Sequence, residues 1–189
     1  MIEEYAKDLR NDLNRQAYTT LIVSLGTQLN DRKDRFDKSD IIERSVARYT
    51  DGRYVYVDDI GRDHIDTKHN LDVEMKYIHD GIFTKTKRPK KHVKVKLKNS
   101  LGSHRGTNID NPADLYMIGQ QDAVAVLTWD TIKDFLVAVP DGIEARIPFD
   151  ELTFVFTPDD VDLDTKVDIS YKEMKSRMQD ELIESILNV

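Results

Sequence analysis

Residues 71–77 read LDVEMKY, and this stretch decides the fold more than any other part of the chain. Apolar and polar side chains alternate at every position, which is the period of a β-strand that buries one face. The apolar side chains at the odd-numbered positions then point to a core, and the charged ones point to the opposite face. The charged set is Asp72, Glu74 and Lys76.

Two further acids, Asp63 and Asp66, stand a few residues upstream in the stretch GRDHID at residues 61–66. Carboxylates close to a lysine are the groups that a Mg²⁺-dependent phosphodiesterase needs. The carboxylate oxygens hold the ion, and the lysine helps to orient the attacking water. The alternative is a half-exposed strand whose outer face is only solvated and salt-bridged, since Glu-x-Lys triplets are common in charged proteins. The rest of the chain has to decide between the two.

The composition is that of one intracellular domain. With 189 residues, 39% hydrophobic and 33% charged, the chain is long enough for one sizeable core and a strongly polar surface. It has no cysteine, which excludes disulfides, thiolate zinc sites and cysteine nucleophiles and is typical of a reducing cytosol. No apolar run approaches the roughly 20 residues that a membrane span requires. We therefore expect a cytoplasmic protein with no membrane partner.

Charge is distributed unevenly along the chain. The formal net charge is −7, yet no Asp or Glu occurs between Gly81 and Ile109, where nine Lys and Arg residues stand. Beyond Pro140 the balance inverts, with 13 acids against five bases. Because a polyanion responds to local charge, the basic segment predicts a nucleic-acid contact. A charge run that is merely solvated is the alternative.

Hydrophobic periodicity predicts helices and strands in an order typical of a mixed fold. Helices are predicted over 2–25, from Ser39 to just before the turn at Asp51–Gly52, over 130–136 and over 170–187. Ser39 and Asp130 are the expected N-caps of the second and third helices. Strands are predicted at 53–57, 71–78, 93–98, 123–127 and 143–156, the last interrupted at Pro148.

These elements predict one α/β (α+β) domain over 1–189, with a single mixed central β-sheet flanked by helices. Residues 1–50 would be helical, residues 51–156 would hold the sheet and the basic segment, and residues 157–189 an acidic linker and a C-terminal helix. The apolar run at 123–127 is expected to be a strand buried on both faces. The N-terminal helix carries a long apolar stripe, which makes it the candidate dimer interface.

The order of these features resembles the PD-(D/E)xK nuclease superfamily: an aspartate, a Glu-x-Lys strand, a basic segment and then a buried apolar strand. Within it, GRDHID followed by Glu74-Met75-Lys76 is most similar to type II restriction endonucleases of the PvuII kind, which carry a Gly-x-Asp-x-Val-Asp stretch about as far ahead of their Glu-x-Lys. The layout is similar over residues 55–156, and the specific match covers residues 61–76. The resemblance implies a restriction-endonuclease-like fold.

Carried over to this chain, the resemblance implies that Asp63 and Glu74 are ligands of Mg²⁺, bound as one or two ions. It implies that Lys76 is the lysine beside the attacking water and that the backbone carbonyl of Met75 completes the coordination. Asp66, eight residues before Glu74 instead of eleven, is the alternative first aspartate.

The basic segment supplies the predicted DNA contacts. Lys94, Lys96 and Lys98 recur at every second position and are expected to follow phosphates, which position DNA without reading its sequence. The glycine-flanked loop that follows contains Arg and Asn, the residue types that pair with guanine and adenine edges. It falls where the resembled family places a histidine-bearing, DNA-reading segment. The loop residues predicted to contact DNA are Ser103, His104, Arg105 and Asn108.

The residues and the resemblance together predict a Mg²⁺-dependent endonuclease that hydrolyses double-stranded DNA at a short specific sequence, as part of a restriction system. A palindromic site would imply a homodimer with one active site for each strand. Two alternatives stay open. A structure-selective nuclease of the Holliday-junction resolvase type would share the metal site, whereas a non-enzymatic DNA-binding module would use only the basic segment.

Overall fold

Two β-sheets organise the part of the chain that the structure, a computed structural model, describes: residues 1–19, 21, 34–59, 61–78, 92–97, 109–120, 123–140 and 142–157. The strands are β1 Tyr54–Asp59, β2 Arg62–Asp66, β3 Leu71–Ile78, β4 His92–Lys96, β5 Leu115–Gln120, β6 Val124–Thr128, β7 Leu136–Val139, β8 Gly142–Pro148 and β9 Thr153–Phe156. The helices are α1 Ile2–Asp12, α2 Asp34–Tyr49 and α3 Trp129–Asp134, and residues 15–19 are helical as well. The first sheet has the order β1-β2-β3-β5-β6-β9, and the second has the order β4-β8-β7.

The mixed α/β class is confirmed, but the single sheet that the sequence predicted is wrong. β4 pairs antiparallel with β8, from His92 opposite Pro148 to the end of the strand, and forms part of a separate layer. The alternation along β4 explains this: Val93 and Val95 are buried, while the lysine between them is exposed. A strand with only one apolar face can cover a sheet, but it does not suit the middle of a sheet that is buried on both faces.

Each face of the first sheet is covered by its own core. On one face α1 and α2 pack against the strands, and Leu9 and Ile42 are fully buried there. On the other face the second sheet contributes apolar side chains such as Val95. β6 serves both cores, because Val126 lies in the first and Leu127 in the second. The strand predicted from the apolar run at 123–127 is thus confirmed as buried on both faces.

The single helix predicted over 2–25 is wrong, because the chain leaves the helical conformation at Leu13, whose φ is −80° and ψ 120°. Asn14 then caps the next helical segment, since its side-chain Oδ1 accepts a hydrogen bond from the backbone N–H of Ala17 at 3.1 Å. The backbone N–H of Asn14 donates to the carbonyl of Tyr49 at 2.7 Å, which ties the break to the end of α2. The three- and four-residue spacing of apolar side chains continues through this break, so the spacing did not predict it.

The apolar stripe of α1 serves the protein's own core. Tyr5, Ala6 and Leu9 are buried against the first sheet. The reason for placing a dimer interface on residues 2–12 is therefore removed. The helix predicted over 170–187 lies outside the described residues. Among the helices that the structure describes, none is both long and apolar enough to cross a membrane.

α2 begins earlier than the sequence predicted. It starts at Asp34, five residues before Ser39, so Ser39 lies inside the helix instead of capping it. No glycine or proline stands between the two positions to end a helix. Its C-terminus at Tyr49 agrees with the prediction, and the turn that follows has positive φ at both Asp51 and Gly52.

α3 begins one residue earlier than predicted and has a different cap. Thr128 is extended, with φ −89° and ψ 161°, and its hydroxyl accepts a hydrogen bond from the N–H of Thr131 at 3.2 Å. Asp130 lies inside the first turn, where its backbone is already helical, so it cannot be the cap. The interruption predicted at Pro148 is confirmed, but the strands on its two sides, β8 and β9, belong to different sheets.

Gly61 forms the turn between β1 and β2, directly before the strand that carries Asp63. Its φ is +88°, and a Cβ added there would lie 2.3 Å from the carbonyl oxygen of Asn111. Gly61→Ala should therefore add a steric clash to the cost of a left-handed backbone, which is about 1–2 kcal/mol for a side-chain-bearing residue. Gly52→Ala is the matched control, because Gly52 has φ +78° and open space around the added Cβ. In urea unfolding, Gly61→Ala should lose more stability than Gly52→Ala; equal losses would contradict the close approach.

Candidate active site

Asp63 and Glu74 lie on neighbouring strands of the first sheet, each next to a residue of the last pair of their register. β2 and β3 pair antiparallel, and His64 opposite Val73 is that last pair, so Asp63 precedes it on β2 and Glu74 follows it on β3. His64 and Val73 share one face of the sheet, so Asp63 and Glu74 both project to the other face. Asp63 Oδ2 also accepts a hydrogen bond from the backbone N–H of Met75 at 2.6 Å. The structure thus brings together the two acids that the resemblance singled out.

Lys76 shares this face, because side chains two positions apart on a strand point the same way. Its Nζ forms an ion pair with Glu74 Oε1, and its side chain is 26% exposed against 10% for Glu74. Val55 on β1, which faces the same side, is 44% exposed. The cluster therefore lies at the border of the core, with Lys76 partly exposed to solvent.

Asp66, the alternative first aspartate, does not face the same side of the sheet as Glu74, so this alternative is wrong. It is three residues from Asp63, so the two side chains project to opposite faces of β2. Asp66 is fully buried, accepts a hydrogen bond from Tyr5 Oη at 2.7 Å and pairs with Arg53 Nη2 at 2.8 Å. Burial acts to raise its pKa, but the hydrogen bonds from Arg53 and Tyr5 and the charge of Arg53 outweigh this and lower it. Asp66 thus anchors α1 to the sheet instead of facing solvent with Glu74.

Glu43 on α2 is a carboxylate of this region that the sequence did not single out. Burial, followed by repulsion from the charge of Asp63, raises the pKa of Glu43 from 4.5 to about 8, and Lys76 acts in the opposite direction. Glu74 adds a smaller repulsion. The only signal in the sequence was an acid next to the apolar pair Ile41 and Ile42, which is common on amphipathic helices. Its electrostatic interaction with Asp63 depends on how α2 packs on the sheet.

The donor set suits a hard cation, which prefers carboxylate and carbonyl oxygens. The Met75 N–H points towards Asp63 on β2, and in an extended strand the carbonyl of a residue points to the same side as its N–H, so the Met75 carbonyl also faces β2. The charge of Asp63 contributes to the raised pKa of Glu43, and a divalent cation relieves repulsion of this kind. Within the described ranges, no three His, Asp or Glu side chains are already grouped closely enough to hold a metal ion. Binding would therefore require Glu74 to turn from Lys76 towards the ion.

Only part of the predicted DNA-contacting set can be placed. Lys94 and Lys96 are exposed on the outer face of β4, and the Nζ of Lys94 lies 3.8 Å from Glu144 Oε1 on β8. Arg146, opposite Lys94, pairs with the same glutamate at 2.7 Å and adds a cation that the sequence did not single out. The predicted contacts outside the described residues are Lys98, Ser103, His104, Arg105 and Asn108.

Comparison with protein-family models, with curated proteins and with solved structures found no match for this chain.

The raised pKa of Glu43 predicts how the stability of the metal-free protein depends on pH. Because its folded pKa is about 8, above the ordinary 4.5, the folded state retains a proton that the unfolded chain releases. The stabilising contribution is present below about pH 4.5 and is lost as the pH rises through about 8. Thermal unfolding in a chelator should show wild type losing more stability than Glu43→Gln between about pH 6 and about pH 9. Glu4→Gln, on the exposed side of α1, is the control; parallel curves for all three proteins would contradict the placement of Glu43.

Proposed function

We propose that this chain is a Mg²⁺-dependent endonuclease that hydrolyses double-stranded DNA, of the type II restriction class, and that its first sheet is restriction-endonuclease-like. The observation that carries the proposal is that Asp63 and Glu74 lie on neighbouring strands, directly beyond the pair His64–Val73, with Lys76 on the same face as Glu74. The charge of Asp63 also acts to raise the pKa of Glu43 on α2.

The residues divide the work by their chemistry. Asp63, Glu74 and the Met75 carbonyl would hold Mg²⁺, which when bound supplies an activated water and neutralises charge on the phosphate. The Lys76 ammonium carries three N–H donors, so it can donate to the attacking water while it still neutralises a neighbouring carboxylate. Asp63 is held in place by the backbone of the neighbouring strand, which orients it before any ligand arrives.

DNA binding and dimerisation complete the proposal. Lys94, Lys96 and Arg146 lie on the outer face of the second sheet, where cations can contact phosphates without reading sequence. A homodimer would give one active site for each strand of a palindrome. Its interface is not assigned, because the stripe of α1 is buried in the protein's own core.

The test uses the full chain, plasmid DNA and a synthetic four-way junction, each with Mg²⁺ and with a chelator. Discrete plasmid fragments that require Mg²⁺ support a sequence-specific endonuclease. Cleavage of the junction alone would indicate a structure-selective nuclease instead. DNA binding without any Mg²⁺-dependent scission would contradict the proposal and leave a DNA-binding module.

A further inference from the structure

Glu144 lies on the middle strand of the second sheet, among three cations. β8 pairs with β4 on one side and with β7 on the other, so Glu144 stands between Lys96 and Val137. Lys94 and Arg146 form a neighbouring pair two positions along these strands, and they therefore share the same outer face. The side chain of Glu144 is only 9% exposed, whereas the cations around it are exposed. The carboxylate is thus largely covered, and the positive charges remain accessible to solvent.

Two of these cations contact Glu144 directly. Arg146 Nε donates a hydrogen bond to Glu144 Oε1 at 2.7 Å, and Lys94 Nζ lies 3.8 Å from the same oxygen. The hydrogen bond from Arg146 lowers the pKa of Glu144; burial opposes it, and the charges of Lys94, Arg146 and Lys96 add to the lowering. Glu144 is therefore ionised at neutral pH and holds Arg146 by a charge-assisted bond.

The guanidinium of Arg146 keeps most of its donors available. It carries five N–H groups, and the bond to Glu144 uses the one on Nε. Among the described residues, neither Nη1 nor Nη2 of Arg146 has a hydrogen-bond partner. Because the group is planar, fixing Nε also restricts the directions of the remaining N–H groups. Such a fork matches two oxygens of a phosphate.

An acid in the middle of this face has an electrostatic cost. If the cations only attracted DNA by their charge, Glu144 would weaken the attraction without any benefit. The three cations still outnumber the single carboxylate, so the face continues to attract anions. A carboxylate that orders an arginine and a lysine before binding reduces the entropy that these long side chains lose when a phosphate arrives.

We propose that Glu144 is a positioning residue that holds Arg146 and Lys94 as a preformed contact for one backbone phosphate of DNA. The inference rests on the proposed function, which takes double-stranded DNA as the ligand of this face. The phosphate oxygens accept hydrogen bonds from Nη1 and Nη2 of Arg146 and from the ammonium group of Lys94. The Nε–H of Arg146 remains bonded to Glu144.

Glu144→Gln and Glu144→Met separate the position of Arg146 from the charge of the face. Both substitutions remove one negative charge, and both new side chains are about as long as glutamate. Only glutamine keeps a side-chain oxygen that accepts the Nε–H bond. Glu144→Met should therefore bind a short fluorescent duplex about 3–10-fold more weakly than Glu144→Gln, because binding must order an arginine that is no longer held. Fluorescence anisotropy without Mg²⁺, at one fixed salt concentration, measures both affinities.

Substitutions of Arg146 separate its charge from its shape. Arg146→Gln removes the charge, so the slope of the logarithm of affinity against the logarithm of salt concentration should decrease by about 1. Arg146→Lys keeps the charge and should keep the slope, but it lacks the planar fork and should bind more weakly than wild type. Lys7→Gln also replaces an exposed cation by glutamine, on α1, and should bind like wild type.

Equal affinities of Glu144→Gln and Glu144→Met would overturn the inference, because charge alone would then explain both. Wild type that does not bind duplex DNA, or Arg146→Lys that binds like wild type, would overturn it as well. Thermal unfolding identifies the temperature at which the variants are folded, and the Arg146 pair decides the matter if Glu144→Met does not fold. All binding is measured without Mg²⁺, so a protein that binds in this pattern but never cleaves DNA contradicts the proposed endonuclease alone.

Discussion

Asp63→Asn and Lys76→Ala should each lower the rate of Mg²⁺-dependent DNA cleavage by at least about 100-fold. A catalytic metal contributes several kcal/mol to the transition state, and each 1.36 kcal/mol corresponds to about tenfold in rate. Asp63→Asn keeps the size and the hydrogen-bonding capacity of the side chain but removes the charge that the ion needs. Lys76→Ala removes the donor for the attacking water. Rates are measured on a plasmid with excess enzyme, so that the chemical step is observed.

DNA binding should change little in either variant, because neither residue lies in the basic segment. It is measured by fluorescence anisotropy without Mg²⁺ at a fixed salt concentration, since phosphate contacts depend steeply on salt. Asp134→Asn and Lys133→Ala make the same chemical changes on exposed positions of α3, away from the site, and should cleave like wild type. Undiminished cutting by Asp63→Asn and Lys76→Ala together would remove the site assignment.

Asp66→Ala should destabilise the fold by about 3 kcal/mol, the lower end of the range for removing one partner of a buried ion pair. The Arg53 side chain is only 5% exposed, and it would lose the partner of its Nη2 group. Tyr5 would lose the acceptor of its hydroxyl hydrogen bond. Urea unfolding at neutral pH measures the loss.

Asp12→Ala is the matched control for this prediction. Asp12 pairs with the same guanidinium, at 2.8 Å from Nη1, but its side chain is 31% exposed. This bond is only part-buried, so solvent screens it more than the Asp66 pair, and this variant should lose less stability than Asp66→Ala. Similar losses for the two variants would show that burial does not set the strength of the Arg53 contacts. Together with Asp63→Asn, the series assigns one aspartate of GRDHID to the site and the other to stability.

That division between the two aspartates was partly available from the sequence. Residues three apart on a strand face opposite sides, so Asp63 and Asp66 could not both accompany Glu74 once 62–66 was recognised as a strand. The sequence did not predict this strand, because a glycine followed by charged residues reads as a turn. The side chains of β3 alternate, so Glu74 and Lys76 share one face. The antiparallel pairing sets Asp66 opposite Leu71, on the other face.

Glu43 and the second sheet could not be found in this way. The charge of Asp63 acts on Glu43, and His64 bonds to the Glu43 carbonyl, because α2 packs on the first sheet; neither interaction has a local pattern. β4 was predicted as a strand, and its exposed lysines were expected, but its partner β8 comes some 50 residues later in the chain. Pairing between strands so far apart in the sequence depends on which apolar faces the rest of the fold leaves exposed.

The amino-acid sequence by itself determined the alternating strand at 71–78, the side of it on which Glu74 and Lys76 project, and the apolar strand buried on both faces. These features follow from the two-residue period of an extended backbone, which acts between near neighbours. Only the tertiary structure decided that the described strands form two sheets, that Asp66 belongs to a buried ion pair and that the charge of Asp63 acts on a glutamate of α2. Those outcomes come from packing between segments that are distant in the sequence. Local patterns do not distinguish among the possible packing arrangements, and burial and charge pairing select one of them.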